Sequence, residues 1–98
     1  MEQLKKITES NLLDIAEIIN PHVTWEAYTP TNKWDGLDAI AEGFILQIDF
    51  GGNENTLSQD SAFRYYYSTP ISITPMPIST EKLFEIFKYL VRSNILQM

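Results

Sequence analysis

Asp35, Asp38 and Glu42 are the side chains whose type and spacing first point to chemistry, because carboxylates at i, i+3 and i+7 share one face of a helix. Carboxylates grouped in this way serve either proton transfer or the recognition of cations. Proton transfer needs a pair whose pKa values burial has pushed apart. Here a short helix is expected, with Asp35 as an acidic cap, Leu37, Ile40, Ala41 and Phe44 as its buried stripe, and Gly43 as the left-handed residue that stops it. The carboxylates then lie opposite the stripe, in water, where capping, solvation and recognition of a basic partner are the expected roles. Leu37, Ala39 and Ala41 also alternate, so the same stretch fits a strand.

His22 is the one histidine and there is no cysteine, which removes disulfides, thiolate zinc sites and Cys/His dyads. It follows Asn20-Pro21 at a corner, and no Gly-x-Ser-x-Gly elbow accompanies it, so a structural or solvated role is expected. The oxygen-rich stretch from Asp49 to Asp60 has Gly51 at the third position of a calcium loop and Asp60 where the terminal glutamate belongs, so it does not match one. Gly51-Gly52 has no lysine and no helix after it, unlike a phosphate-binding loop. No cofactor and no metal site are expected. Among the rings, Phe63, Tyr65 and Tyr67 alternate onto one strand face and Arg64 and Tyr66 onto the other. Tyr66 and the loop residue Trp34 are expected to be exposed, and exposed rings beside acids suit a protein interface. The expected partner-binding residues are therefore Trp34, Asp35, Asp38, Glu42 and Tyr66.

Charge points the same way. The 98 residues carry a net charge of −6, which disfavours phosphate backbones and anionic lipid surfaces. Between Lys33 and Arg64 lie Asp35, Asp38, Glu42, Asp49, Glu54 and Asp60 and no base at all, so this middle segment presents the negative field. With 44% hydrophobic and 20% charged residues the chain has ordinary globular usage, and residues 1–98 are expected to form one domain. No apolar run approaches the roughly 18 residues of a membrane span, and the polar amino terminus has no apolar leader core, so a cytoplasmic location is expected.

The elements that position these residues begin with a helix capped by Thr8 or Ser10 and striped by Leu12, Ile15, Ala16 and Ile19, which Asn20-Pro21 ends. Val23–Tyr28 reads as a short strand. Phe44–Phe50 and Ala62–Ser68 read as two more, joined as an antiparallel hairpin by a long polar loop. Ile71–Thr74, framed by Pro70, Pro75 and Pro77, reads as an edge strand. Ser79 caps a final helix whose expected core stripe is Leu83, Ile86, Phe87 and Leu90, widened by Phe84 and Val91, with Ile78 stapled to Leu83. The expected class is α+β: an antiparallel sheet of three to four strands against two main helices and a short third. A parallel pairing of Val23–Tyr28 with Phe44–Phe50 stays open.

These features lead to a non-enzymatic protein-interaction module with a partner whose surface is basic. One mode of action is inhibition, in which carboxylates occupy a nucleic-acid-binding surface where phosphates would sit, as in small phage or mobile-element accessory proteins. The alternative is a small-ligand or nucleotide-binding protein with an aromatic-lined pocket between sheet and helices. An enzyme pairing His22 with a carboxylate has the least support. Self-association is compatible with all three.

Overall fold

A computed structural model describes residues 6–28, 36–52 and 56–96. The element order is α1 (Glu9–Ile19), β1 (Glu26–Tyr28), β2 (Gly36–Ala41), β3 (Phe44–Asp49), β4 (Ala62–Thr69), β5 (Ser72–Met76) and α2 (Thr80–Arg92). The five strands form one sheet in sequence order, and every neighbouring pair is antiparallel. The class is α+β, with five strands where three to four are expected and no parallel pairing in the sheet.

The extra strand is the segment read as a short helix. Residues 36–41 form β2, and its partner is β3 along its whole length, from Gly36 opposite Asp49 to Ala41 opposite Phe44. Both periods fit this stretch locally. The ladder with β3 decides between them, since the alternation of Leu37, Ala39 and Ala41 matches that of Ile48, Leu46 and Phe44 residue for residue. Gly43 does adopt φ +89°, but in the turn of a β-hairpin rather than at a helix end. A second glycine closes the base of the β3–β4 loop: Gly51 has φ +61°, and a Cβ there would come within 2.6 Å of Asp60 Cβ.

The helix ends are built as their residues require. Thr8 accepts from the Asn11 N–H at 3.1 Å while Asn11 Oδ1 accepts from the Thr8 N–H at 3.0 Å, a capping box with asparagine in the glutamate position. Ser79 accepts from the Lys82 N–H at 3.2 Å to start α2. α2 ends in a Schellman motif: Asn94 takes φ +60°, the Ile95 N–H donates to Leu90 O and the Asn94 N–H to Val91 O, and Ile95 is buried beneath.

Both helices pack on one face of the sheet. Leu12, Ile15, Ala16 and Ile19 of α1, Ile86 and Leu90 of α2, and Ala39, Leu46, Ile48 and Tyr65 of the strands form a single buried cluster with Ile7, Trp25, Phe50, Leu57 and Ile95. Two polar links lock the helices in place. Tyr89 Oη donates to Asp14 Oδ2 at 2.7 Å and accepts from Asn11 Nδ2 at 2.9 Å, joining α2 to α1. Asn20, at the end of α1, donates through Nδ2 to Tyr65 Oη and accepts through its carbonyl from Trp25 Nε1.

α2 also departs from the expected stripe. Ile86 and Leu90 are buried, but Leu83 and Phe87 are 44% and 41% exposed. The stripe spans a wider arc than the core has room to cover, so its Leu83 side remains in water.

A candidate protein-docking face

With both helices on one side, strand alternation sends the remaining side chains to the other. Across this outer face runs one row of directly opposed residues, Glu26, Ile40, Ile45, Tyr66 and Pro75, from β1 to β5. Beside it runs a second row, Tyr28, Asp38, Gln47 and Arg64. No described helix packs on either row. The first row is apolar in its middle and acidic at one end; the second is polar throughout. Opposed side chains on neighbouring strands lie about 5 Å apart, so each row is a continuous contact surface.

Asp38 is the acid of this face that its surroundings hold partly out of water. Burial among its strand neighbours raises its pKa above the ordinary 3.8, and a hydrogen bond with the Gln47 side chain opposes that shift only in part. The cation of the same face, Arg64, reaches the other way: its Nη2 lies 3.5 Å from Asp49 Oδ2. Asp49 also accepts from the Gly51 N–H at 2.9 Å, which makes it part of the loop base. The described charges of the outer face are therefore Glu26 and Asp38 plus a partly neutralised Asp49–Arg64 pair.

Of the five expected partner-binding residues, three lie in the described structure. Asp38 and Tyr66 share the outer face, two strands and two residues of register and so about 12 Å apart. Glu42 is exposed in the β2–β3 turn, four residues along the chain from Asp38. Because 36–41 is a strand, Asp38 and Glu42 do not form a helical face. Trp34 and Asp35 lie outside the described residues. Tyr66 is half-buried between Ile45 and Pro75, and the most exposed rings of the sheet are Tyr28, at the start of the second row, and Tyr67. Tyr67 was expected inward with Phe63 and Tyr65. It does point that way, but at the end of β4 it lies beyond the helices, edge-on to Phe44 with ring centroids 5.7 Å apart.

Ile40 is the member of the face that the helical reading of 36–42 conceals, and with it the link through β2 that joins Glu26 and Tyr28 of β1 to Ile45 and Gln47 of β3. The signal was present in the alternation of β2 and β3, which turns outward every residue that Leu37, Ala39, Leu46 and Ile48 do not claim.

His22 is exposed after α1, and its backbone N–H donates to Asn20 Oδ1 at 3.0 Å. Among the described residues no three His, Asp or Glu side chains converge as metal ligands. No described helix is long and apolar enough to cross a membrane. The aromatic residues between sheet and helices stack on one another: Tyr65 lies over Phe44 at 5.7 Å and against Trp25 at 6.5 Å. An open groove of about 440 Å³ lies instead at the surface, where Leu83 and Phe87 of α2 face Leu57 and Phe63. Comparison with protein-family models, curated proteins and solved structures finds no match, so geometry carries the functional reading.

Proposed function

We propose that this protein is a non-enzymatic interaction module that binds a basic protein surface through the outer face of its sheet. One observation carries the reading: Glu26 and Asp38 flank an uncovered Ile40–Ile45–Tyr66 row, while the one described base on that face is drawn to Asp49. An apolar, ring-bearing centre with carboxylates around it has the composition of a protein-recognition patch. Asp38 adds a reason for a cationic partner in particular. Its ionised form is disfavoured where it sits, so a lysine or arginine placed against it relieves a penalty already present in the free protein. A partner that normally holds nucleic acid supplies such cations, and occupying them is inhibition by charge mimicry.

The test is the association rate of a partner captured from the cells that make the protein, followed across a salt series. The variant Glu26→Gln, Asp38→Asn, Glu42→Gln removes three charges with little change of shape. Steering by these charges requires the parent rate to fall as the screening length shortens from about 10 Å at 0.1 M to about 3 Å at 1 M, and the variant to be slow and nearly salt-independent. Equal rates for parent and variant at low salt would leave the outer face a solvated surface.

A further inference from the structure

α2 carries a second uncovered surface, which borders the outer sheet face at the groove that Leu83 shares with Tyr66 and Pro75 and which the proposed function does not use. Phe84 is 62% exposed and lies on one arc with Leu83, Phe87 and Val91. Leu83, Phe84 and Phe87 together leave on the order of 300 Å² of apolar surface in water, scaled from the 150–250 Å² of a whole aromatic side chain. That is the size of the largest patch on a typical monomer. Along one flank of the arc runs a ridge of exposed charges at i, i+4, i+7 and i+11: Glu81, Glu85, Lys88 and Arg92. Its first half is acidic and its second half basic, and Lys88 Nζ lies 3.2 Å from Glu85 Oε1.

We infer that α2 is a self-association surface, on which a second copy of the chain lays its own α2 antiparallel. The charge order selects this occupant. A two-fold axis between Ile86 and Phe87 sets Glu81 against the partner's Arg92 and Glu85 against the partner's Lys88. Within one residue, the same axis puts Phe87 beside the partner's Phe87 and Leu83 beside the partner's Val91. A two-fold keeps both ridges on the same side of the apolar seam, so charges and apolar contacts form together. A parallel two-fold would put the two ridges on opposite flanks of the seam, where their charges do not meet. Self-association by strand addition is disfavoured at both edges of the sheet, because Pro75 and Pro77 deprive the β5 edge of backbone donors and β1 offers only the three residues Glu26–Tyr28. The area places the dimer at the small end of specific interfaces, below about 1,200 Å² in total, so it is weak and concentration-dependent.

Sedimentation equilibrium on the full chain, from about 1 μM to about 1 mM, spans the range of such an interface. The parent is expected to pass from monomer to dimer across it. Phe87→Ser, at the seam, is expected to weaken the dimer by about tenfold or more, as the loss of a central aromatic does. Glu85→Lys and Lys88→Glu each set like charges across the seam and weaken it separately. Mixed in equal amounts they restore it, since each chain brings the charge the other lacks. The intrahelical Glu85–Lys88 pair is absent from both variants, so a structural role for that pair cannot produce the rescue. A chain monomeric to about 1 mM, a dimer that Phe87→Ser leaves intact, or a mixture no more associated than its components would each overturn the inference. Should Phe87→Ser fail to fold, the charge variants decide.

Discussion

On the outer sheet face Ile40, Ile45 and Tyr66 lie beside Asp38, Gln47 and Arg64. On α2 the apolar residues Leu83, Phe84 and Phe87 keep an arc of their own and the charges a separate ridge. A strand that buries one face turns every second residue outward, so its free surface mixes types and its apolar members are half-covered by cross-strand neighbours. A helix sorts its residues by angle, and when its apolar arc is wider than the core, the surplus is exposed undiluted. The first kind of surface suits a partner of opposite charge. The second suits a partner with the same pattern read in reverse.

The largest expected effects test where the core ends on α2. Ile86→Ala and Leu90→Ala, which empty buried positions, are expected to destabilise by about 2–5 kcal/mol. Leu83→Ala and Phe87→Ala, on the same helix but more than two-fifths exposed, should lose only about 1 kcal/mol in urea unfolding at low micromolar concentration. If all four cost the same, the exposed arc is part of the core and the distinction between the two surfaces fails.

Next in size is the joint that holds α2 on α1. Tyr89→Phe keeps the ring but removes the bonds to Asp14 and Asn11, and a loss of about 1–2 kcal/mol is expected, read from the shift in the urea midpoint. A neutral result would mean that apolar packing alone sets the angle at which α2 presents its arc.

The smallest effect belongs to the sheet face. Because burial raises the pKa of Asp38, the folded chain holds this proton more tightly than the unfolded one. Its contribution is therefore favourable below the ordinary value of 3.8 and is lost as pH rises through the raised folded value. Asp38→Asn should match the parent at pH below that value and be more stable at neutral pH, by well under about 1 kcal/mol, since much of the carboxylate stays in water. A cation docked on Asp38 reverses the preference, so affinity for a basic partner should rise more steeply with pH across the same window in the parent than in Asp38→Asn, where only the other carboxylates of the face gain charge.

Much of this was legible in the residues. The stripe and cap of α1, the alternation of β3 and β4, the edge character of β5 and the Ser79 cap of α2 are local patterns, and the structure has them. Residues 36–42 were not legible as a strand because Leu37, Ala39, Ile40, Ala41 and Phe44 satisfy both periods, and only pairing with β3, a non-local fact, separates them. That one misreading took Asp38 and Ile40 off the sheet, so the outer face was legible strand by strand, as in Arg64 and Tyr66 of β4, but not as one continuous surface. On α2, periodicity located the apolar arc, but the part of an arc that a core can cover depends on the shape of the rest of the molecule. Leu83 and Phe87 were accordingly placed inside.

The claim that the outer sheet face is where a basic partner binds is tested most directly by zero-length carbodiimide coupling of the complex, which joins a carboxylate to a lysine in contact with it. Peptide mapping is expected to find Glu26, Asp38 or Glu42 joined to lysines of the partner. The yield should collapse in the Glu26→Gln, Asp38→Asn, Glu42→Gln variant and be unchanged in Phe87→Ser. Links confined to Glu81 and Glu85 of α2, or a yield that Phe87→Ser abolishes and the triple variant spares, would contradict it.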